Sequence, residues 1–372
     1  MSMKVMLGMS GGVDSSVAAA LLQQQGYDVI GVTMKLWSDE AYAERRTGGG
    51  CCSLEDIGDA RAVAHQLGIP HYVFNFQDVF YKTVVEDFVR QYRQGLTPNP
   101  CIACNRFVKF EELLRRALSV GCEYVATGHY ARIRFDSESG RYRLSRSATS
   151  AKDQTYALYS MTQEQLSRTL MPLGDYTKEE IRTMAREFGL PVFDKPDSQE
   201  ICFVEDDDYG SLVERRGGFL PQGHFVDTTG QILGTHRGIH RYTIGQRRGL
   251  GLARPEPVYV LAICPETNTV TVGAEHEQYR KGLTAADLNW IATDRLDGPM
   301  DAMVKIRYNS KPVPARIMPL QGHRVEVRFS DAQKAVAPGQ AVVFYQGDDV
   351  LGGGTIERFS DENTDAGEGG QS

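Results

Sequence analysis

Short apolar runs alternate with amphipathic stretches over the first third of the chain. Residues 4–9 (KVMLGM) are a continuous apolar run of strand length. Residues 13–25 follow with helical length and an Ala/Leu-rich composition that stops at Gly26. The beat repeats with a strand at 28–34 (DVIGVTM) and a helix at 53–67, opened by Ser53 with Asp56 three residues on and ended by Gly68 and Pro70. A strand at 71–76, helices at 78–94 and 106–120, and a strand at 123–127 (EYVAT) complete it. This β-α-β alternation predicts an α/β fold, a doubly wound parallel sheet with helices on both faces. Ligands bind such sheets beyond the carboxyl ends of the strands. The loops 10–16, 34–52, 75–78 and 128–130 should converge there.

Helices are also predicted at 162–170 and 177–188. From about Gly217 the texture changes to short β-like runs separated by Gly, Pro and Asn turns. Runs at 258–263, 269–273, 302–308, 313–318, 324–329, 341–345 and 353–357 predict a small β-barrel or sandwich. The tail from Phe359 (FSDENTDAGEGGQS) reads as disordered.

The 372 residues leave room for two to three domains. No apolar run approaches the roughly 18 residues of a membrane span, and no signal peptide is visible, so a cytoplasmic protein without membrane contact is expected. Lys and Arg number 41 against 48 Asp and Glu, a net charge of −7 that excludes a generic polycation. The charge is unevenly spread. The tail holds Asp361, Glu362, Asp365 and Glu368 and no base, whereas no acid occurs between Asp227 and Glu256, where Arg237, Arg241, Arg247, Arg248 and Arg254 fall. Arg132, Arg134, Arg141, Arg143 and Arg146, with Phe135 and Tyr142, form a second basic stretch of hairpin texture, either an RNA-binding surface or a solvated face.

Seven cysteines (51, 52, 101, 104, 122, 202 and 264) are odd in number and unevenly spread, which does not suit a disulfide scaffold. Reduced thiols with catalytic or metal-binding roles fit better. Cys122 and Cys264 read as packing residues.

The string Ser10-Gly11-Gly12-Val13-Asp14-Ser15-Ser16 lies between the first strand and the first helix. Its glycines let the backbone approach a phosphate, and the helix N-terminus offers N–H groups and a positive dipole end. It lacks the Gly-Lys-Ser/Thr of a Walker loop and the spacing of a dinucleotide fingerprint. It is similar to the loop of the N-type ATP pyrophosphatases, which cleave ATP between the α and β phosphates and adenylate an oxygen.

Further motifs narrow the family. They are residues 97–105 (TPNPCIACN) running into 106–110 (RFVKF), 128–130 (GHY), 152–154 (KDQ), 197–203 (DSQEICF), 242–247 (YTIGQR), 304–308 (VKIRY) and 338–344 (PGQAVVF). With them the chain closely resembles the bacterial tRNA-specific 2-thiouridylases over about residues 3–356. The resemblance implies a catalytic domain of the adenine-nucleotide alpha-hydrolase type at 1–205, a small central tRNA-binding domain at 206–280, a C-terminal β-barrel at 281–358 and an acidic tail at 359–372.

The resemblance also implies the chemistry. The family adenylates the C2 oxygen of a wobble uridine and replaces it with sulfur. That requires ATP and Mg²⁺, the anticodon stem-loop of a tRNA, and sulfur delivered by a sulfur-carrier protein or a cysteine desulfurase relay. The sulfur would ride on Cys202 as a persulfide. Cys104 would attack Cys202 to release it, leaving a disulfide, or activate the persulfide otherwise. A thiol of pKa about 8.5 needs a positive field to ionise at neutral pH; Lys109, Arg106 or a helix N-terminus at Asn105 could supply it.

Gly8, Met9, Ser10, Gly11, Gly12, Val13, Asp14 and Ser15 should line the ATP phosphates, with Asp14 helping to hold Mg²⁺. Met34 and Gly128 should flank the adenine. Asn99, Pro100 and Cys101 should face the target base. His129, Lys152, Asp153, Gln154, Arg307, Tyr308 and Gln340 should contact tRNA. Cys101, Cys104 and Cys202 together could instead hold a [4Fe-4S] cluster with one open iron, or Zn²⁺ with a fourth ligand. Some relatives carry Asp in place of Cys101, so a persulfide route cannot depend on that thiol throughout the family. Cys51 and Cys52, after Gly48-Gly49-Gly50, are sulfur relays or structural thiols. An amide-forming synthetase would leave Cys104 and Cys202 unexplained, and a non-catalytic RNA-binding protein would not need an intact phosphate loop.

Overall fold

The computed structural model describes residues 2–37, 54–149, 151–196, 201–204 and 208–360. Ser53, Cys51 and Cys52, the 197–200 part of the DSQEICF motif and the acidic residues of the tail lie outside the described residues. Three β units carry the chain. The first is a parallel sheet in the order β3 (His71–Asn75), β2 (Asp28–Lys35), β1 (Lys4–Gly8), β4 (Tyr124–Ala126), β7 (Thr169–Leu170). Alternation along β1 divides its side chains between two cores. Met6 enters one with Val32, Phe88, Val108 and Phe110, whereas Val5 and Leu7 enter the other with Val17, Ala18 and Ile181. That two-sided burial is why the run reads as continuously apolar. The chain winds outward from β1 through β2 to β3, then returns to place β4 on the other side of β1. The crevice beyond the carboxyl ends of β1 and β4 is therefore the switch point of the sheet.

Two expected elements are corrected. The stretch 162–170 is a short helix, Gln163–Ser167, opened by a Thr162–Gln165 capping box, and then turns into β7. The helix expected from 106 begins at Pro100: Pro100–Ala103 is α-helical, Cys104–Glu112 is π-helical and Leu113–Ser119 is α-helical. Asn99 caps it, its Oδ1 accepting from the Ile102 N–H at 3.3 Å, and proline suits the first helical position because its missing N–H would have had no partner there.

The β-rich remainder is two units. A four-stranded sheet, β10 (Tyr259–Cys264), β11 (Thr269–Gly273), β8 (Gly223–Val226), β9 (Ile232–His236), closes over Phe225, Val260, Val270 and Val272. The last six strands run in the order β12 (Tyr279–Trp290), β15 (Arg324–Lys334), β14 (Val313–Leu320), β13 (Met300–Lys305), β16 (Ala341–Gln346), β17 (Asp349–Ser360), and β17 pairs back with β12 to close a barrel. The arginine-rich stretch is a hairpin, β5 (Ala131–Asp136) and β6 (Arg141–Arg146), joined to this barrel through the Asp349–Ser145 register pair. No helix among the described residues is long and apolar enough to cross a membrane.

Candidate active site

The glycine–serine loop leaves β1 at the switch point. Gly11 has φ +72°, and a Cβ there would stand 2.2 Å from the Asp56 carbonyl oxygen, so only glycine fits. Gly12 precedes the helix Val13–Gln24 in extended conformation, and among the described residues no side chain caps that helix. Its N-terminal dipole end thus faces the loop uncovered by a capping side chain. The serines brace the loop internally. The Ser10 N–H donates to Ser15 Oγ at 3.2 Å, and the Ser15 and Ser16 hydroxyls donate to the Gly12 carbonyl at 3.2 and 2.8 Å. A Cβ on Gly128 would lie 2.9 Å from both Asp14 C and Ser15 N, so the segment that leaves β4 supports the loop by backbone contact. The Met34 terminal methyl lies 3.8 Å from the Cβ position of Gly8, placing both at this crevice.

Two residues that sequence reasoning missed complete the loop. Asp14 accepts from the Tyr130 hydroxyl at 2.7 Å and from the Lys178 ammonium at 2.7 Å. Lys178 opens the helix Lys178–Glu187 behind a Thr177–Glu180 capping box, and its side chain is almost fully buried. The box is legible in the sequence; the partner 164 residues upstream is not. Asp14 is thus held by a cation and a hydroxyl of the chain itself. Among the described residues no three His, Cys, Asp or Glu side chains gather as metal ligands. Lys195 ties the next helix in by donating to Asp56 at 2.7 Å and Asp59 at 2.5 Å.

The second component is the helix begun at Pro100. Cys101 lies in its first turn and is exposed; Cys104 opens the π-helical segment and is half-buried. Such segments are rare and recur at functional sites. Because the helix starts early, Asn105 is not its N-terminus; the Asn105 side chain is buried and donates to the Ala157 carbonyl at 2.9 Å. Arg106 reaches Asp287 of the barrel at 2.6 Å, and Lys109 Nζ lies 3.4 Å from His129 Nε2, so both expected cations are turned to other partners. Cys104 and Cys202 nonetheless pack against one core cluster, together with Ile102 and Ile201. Cys101, Cys104 and Cys202 do not form a metal-ligand set. Cys101 is exposed, whereas Cys104 and Cys202 are half-buried against the core.

Third, side chains from all parts of the chain meet around this helix. Asp153 is buried and accepts from the Thr155 hydroxyl at 2.8–2.9 Å. Tyr308 is 41% exposed and packs edge-on to Tyr156 at 6.2 Å, with Lys305 within 5.5 Å of its ring. Burial raises the Tyr308 hydroxyl pKa, and the neighbouring Asp153 carboxylate and Cys101 add to it. Arg307 is half-buried, its guanidinium donating to the Ala335 carbonyl, and burial lowers its pKa. Lys152 is half-buried.

Three of the residues expected at the tRNA also make hydrogen bonds within the chain. His129 is buried, its Nδ1 2.6 Å from the Thr127 hydroxyl, and burial plus the Lys109 charge hold its pKa well below the usual histidine range. Gln154 accepts from the Tyr130 N–H at 2.8 Å. Gln340 donates to the Thr97 and Pro98 carbonyls at 3.0 and 3.4 Å, and the Thr97 N–H donates to the Pro338 carbonyl at 2.8 Å, so a barrel loop grips the approach to the cysteine helix.

The hairpin arginines are largely compensated. Arg132 and Arg134 pair with Asp175 at 2.5 and 3.3 Å, Arg141 with Asp294 at 2.5 Å, and Arg143 with Asp136 at 2.5 Å and Asp349 at 2.9 Å. In the central unit Arg241 is spent on Glu214 at 2.6 Å, whereas Arg237, Arg247, Arg248 and Arg254 are exposed.

Three family models match in sequence: a tRNA methyl transferase HUP domain at residues 3–206, a tRNA methyl transferase PRC-barrel domain at 211–274 and an aminomethyltransferase beta-barrel domain at 280–356. The tRNA-specific 2-thiouridylase MnmA of Acetivibrio thermocellus is 57% identical over 355 residues, 95% of this chain and 99% of that protein. Proteins of the same name from Clostridioides difficile and Carboxydothermus hydrogenoformans are 53% and 52% identical, over 96% and 95% of this chain and 99% and 98% of theirs.

Proposed function

This chain belongs to the tRNA-specific 2-thiouridylase family, and we propose on that premise that it is an ATP-dependent tRNA sulfurtransferase whose two half-reactions meet between the glycine–serine loop and the Cys104–Cys202 pair. The observation that carries the reading is the joint placement of these parts. The phosphate-type loop lies at the switch point of the sheet, and the two cysteines share one core cluster. A C2 carbonyl of uracil is a poor electrophile because its oxygen is a poor leaving group. MgATP would bind along residues 8–15, and the C2 oxygen attacks the α-phosphate and expels pyrophosphate. Loop N–H groups and the helix dipole stabilise the charge on the phosphates. The paired Lys178 keeps Asp14 from repelling them.

Sulfur transfer then balances as follows. The terminal sulfur of a Cys202 persulfide attacks C2, and AMP leaves with the former C2 oxygen. The Cys104 thiolate attacks the Cys202 sulfur, the S–S bond to the base breaks, and 2-thiouridine is released with a Cys104–Cys202 disulfide. An external thiol reduces that disulfide, and a carrier protein or desulfurase relay reloads Cys202. Cys104 lies in the N-terminal half of its helix, where the dipole favours a thiolate. No step here uses an iron–sulfur cluster. A methyl transfer, which the family models' wording suggests, would leave the phosphate loop and Cys202 without a task.

The test is incubation with ATP, Mg²⁺, a sulfide source and bulk tRNA, followed by nucleoside mass spectrometry. The reading expects 2-thiouridine, and its absence under both aerobic and anaerobic conditions would overturn it. Cys202→Ser should abolish thiolation from a persulfide donor while tRNA binding persists; loss of binding would make Cys202 structural.

A further inference from the structure

A groove of about 380 Å³ lies apart from the loop and cysteines just described, between the helical run 77–93 and the helix Tyr209–Gly217. Its floor is apolar, from Val85 and Val89, and the helices approach closely because residue 217 is glycine: a Cβ there would stand 2.9 Å from Val89 Cγ1 and 2.8 Å from Arg93 Cδ. Its rim is cationic and aromatic. Arg90, Arg93 and Arg216 line it, and Arg216 lies over the exposed Tyr81 ring at 5.6 Å. Arg93 donates to the Gly218 carbonyl at 2.8 Å, and Phe219 is the next residue. Phe219 is 83% exposed, a large aromatic presented to solvent. Two acids accompany these groups: Asp87, paired with Arg90, and Glu86, which lines the groove.

We propose that this groove is an RNA subsite, holding a stretch of the tRNA backbone with an unstacked base beside it. Guanidinium groups, exposed flat rings and a carboxylate able to accept from a ribose 2′-hydroxyl are the chemistry by which proteins hold single-stranded RNA. The subsite rests on the reading that tRNA is the substrate, and it adds where part of that tRNA is held. It also adjoins the chemistry through the fold. The 77–93 run leads through Gly95 and Thr97 into the cysteine helix, and the opposite wall follows Cys202, with the Phe88 ring 5.0 Å from that of Phe203.

The experiment uses the full chain and a fluorescently labelled tRNA transcript, with equilibrium binding measured over a series of salt concentrations. Two paired variants are compared with wild type, Arg90→Gln with Arg216→Gln and Tyr81→Ala with Phe219→Ala. Each pair should weaken tRNA binding about tenfold. The arginine pair should also reduce the slope of log K against log salt by about 2, whereas the aromatic pair should leave the slope unchanged. ATP affinity, read at the separate phosphate loop, should stay at the wild-type value in both. Wild-type tRNA affinity in both variants would overturn the subsite. So would unchanged tRNA affinity with thiolation lost only when sulfur comes from a carrier protein, which would assign the groove to that protein. If the wild type itself binds no tRNA, the substrate reading and the subsite fall together.

Discussion

A single methyl group at residue 128 should separate loop geometry from overall stability. Gly128 follows β4, and a Cβ there meets the backbone of Asp14 and Ser15 at 2.9 Å, where ordinary contact begins near 3.4 Å. Both opposing atoms are main chain, so no side chain can rotate away. In Gly128→Ala the first turn of the loop helix must move by about 0.5 Å, the difference between those two distances. Overpacking of this kind costs about 1–3 kcal/mol of stability. An ångström of misplacement at a reacting centre costs about 10²-fold, so half of one should cost roughly tenfold in ATP use. ATP affinity by calorimetry and AMP release with saturating tRNA are the readouts. A useful control is Gly58→Ala, in the helix Leu54–Leu67, where a Cβ meets nothing within 4 Å. That change should gain about 0.5–1 kcal/mol. If Gly128→Ala binds and uses ATP like wild type, the loop is not the nucleotide site.

Other outcomes follow from the same contacts. The Asp14–Lys178 pair is partly buried, with side-chain exposures of 31% and 9%, so a cycle of Asp14→Asn and Lys178→Met in denaturant unfolding should show a coupling of about 0.5–3 kcal/mol; simple additivity would contradict the pairing. Burial and Lys109 hold the His129 pKa low, so the unfolded chain takes up a proton below pH 6.5 that the fold refuses, and stability falls on acidification. That histidine should lower stability progressively as the pH drops below 6.5, and His129→Gln should remove this increment from the pH profile while His71, His236 and His240, also held low chiefly by burial, retain theirs. An unchanged profile would contradict the buried, neutral assignment. Gln340→Ala should lower the thiolation rate with little change in tRNA affinity, because Gln340 holds Thr97 and Pro98; an equal loss of affinity would make it a tRNA contact.

The parallel sheet was legible because strands buried on both faces, such as those within 4–9 and 28–34, read as mostly apolar runs rather than as apolar–polar alternation. The phosphate loop was legible because its glycines are local necessities, as the Gly11 backbone shows. The start of the cysteine helix was misread because Pro98 and Pro100 look like breakers, although proline at the first turn behind Asn99 is a start signal. Strand β12 was missed because its stretch GLTAAD lacks alternation; it pairs on both edges, with β15 and β17, and closes the barrel. The ion pairs of the charged hairpin were not legible because their partners, Asp175, Asp294 and Asp349, come from distant segments. Lys178 escaped notice for the same reason. Local patterns carry backbone requirements; they do not carry the pairing of charges across the fold.

The central claim is that oxygen leaves the uracil C2 position as part of AMP and sulfur takes its place. It is tested most directly with an anticodon stem-loop carrying ¹⁸O at C2 of the wobble uridine, incubated with ATP, Mg²⁺ and a persulfide donor. AMP mass should rise by one ¹⁸O for each 2-thiouridine formed. Thiolation accompanied by unlabelled AMP, or by label in released phosphate, would contradict adenylation at that oxygen.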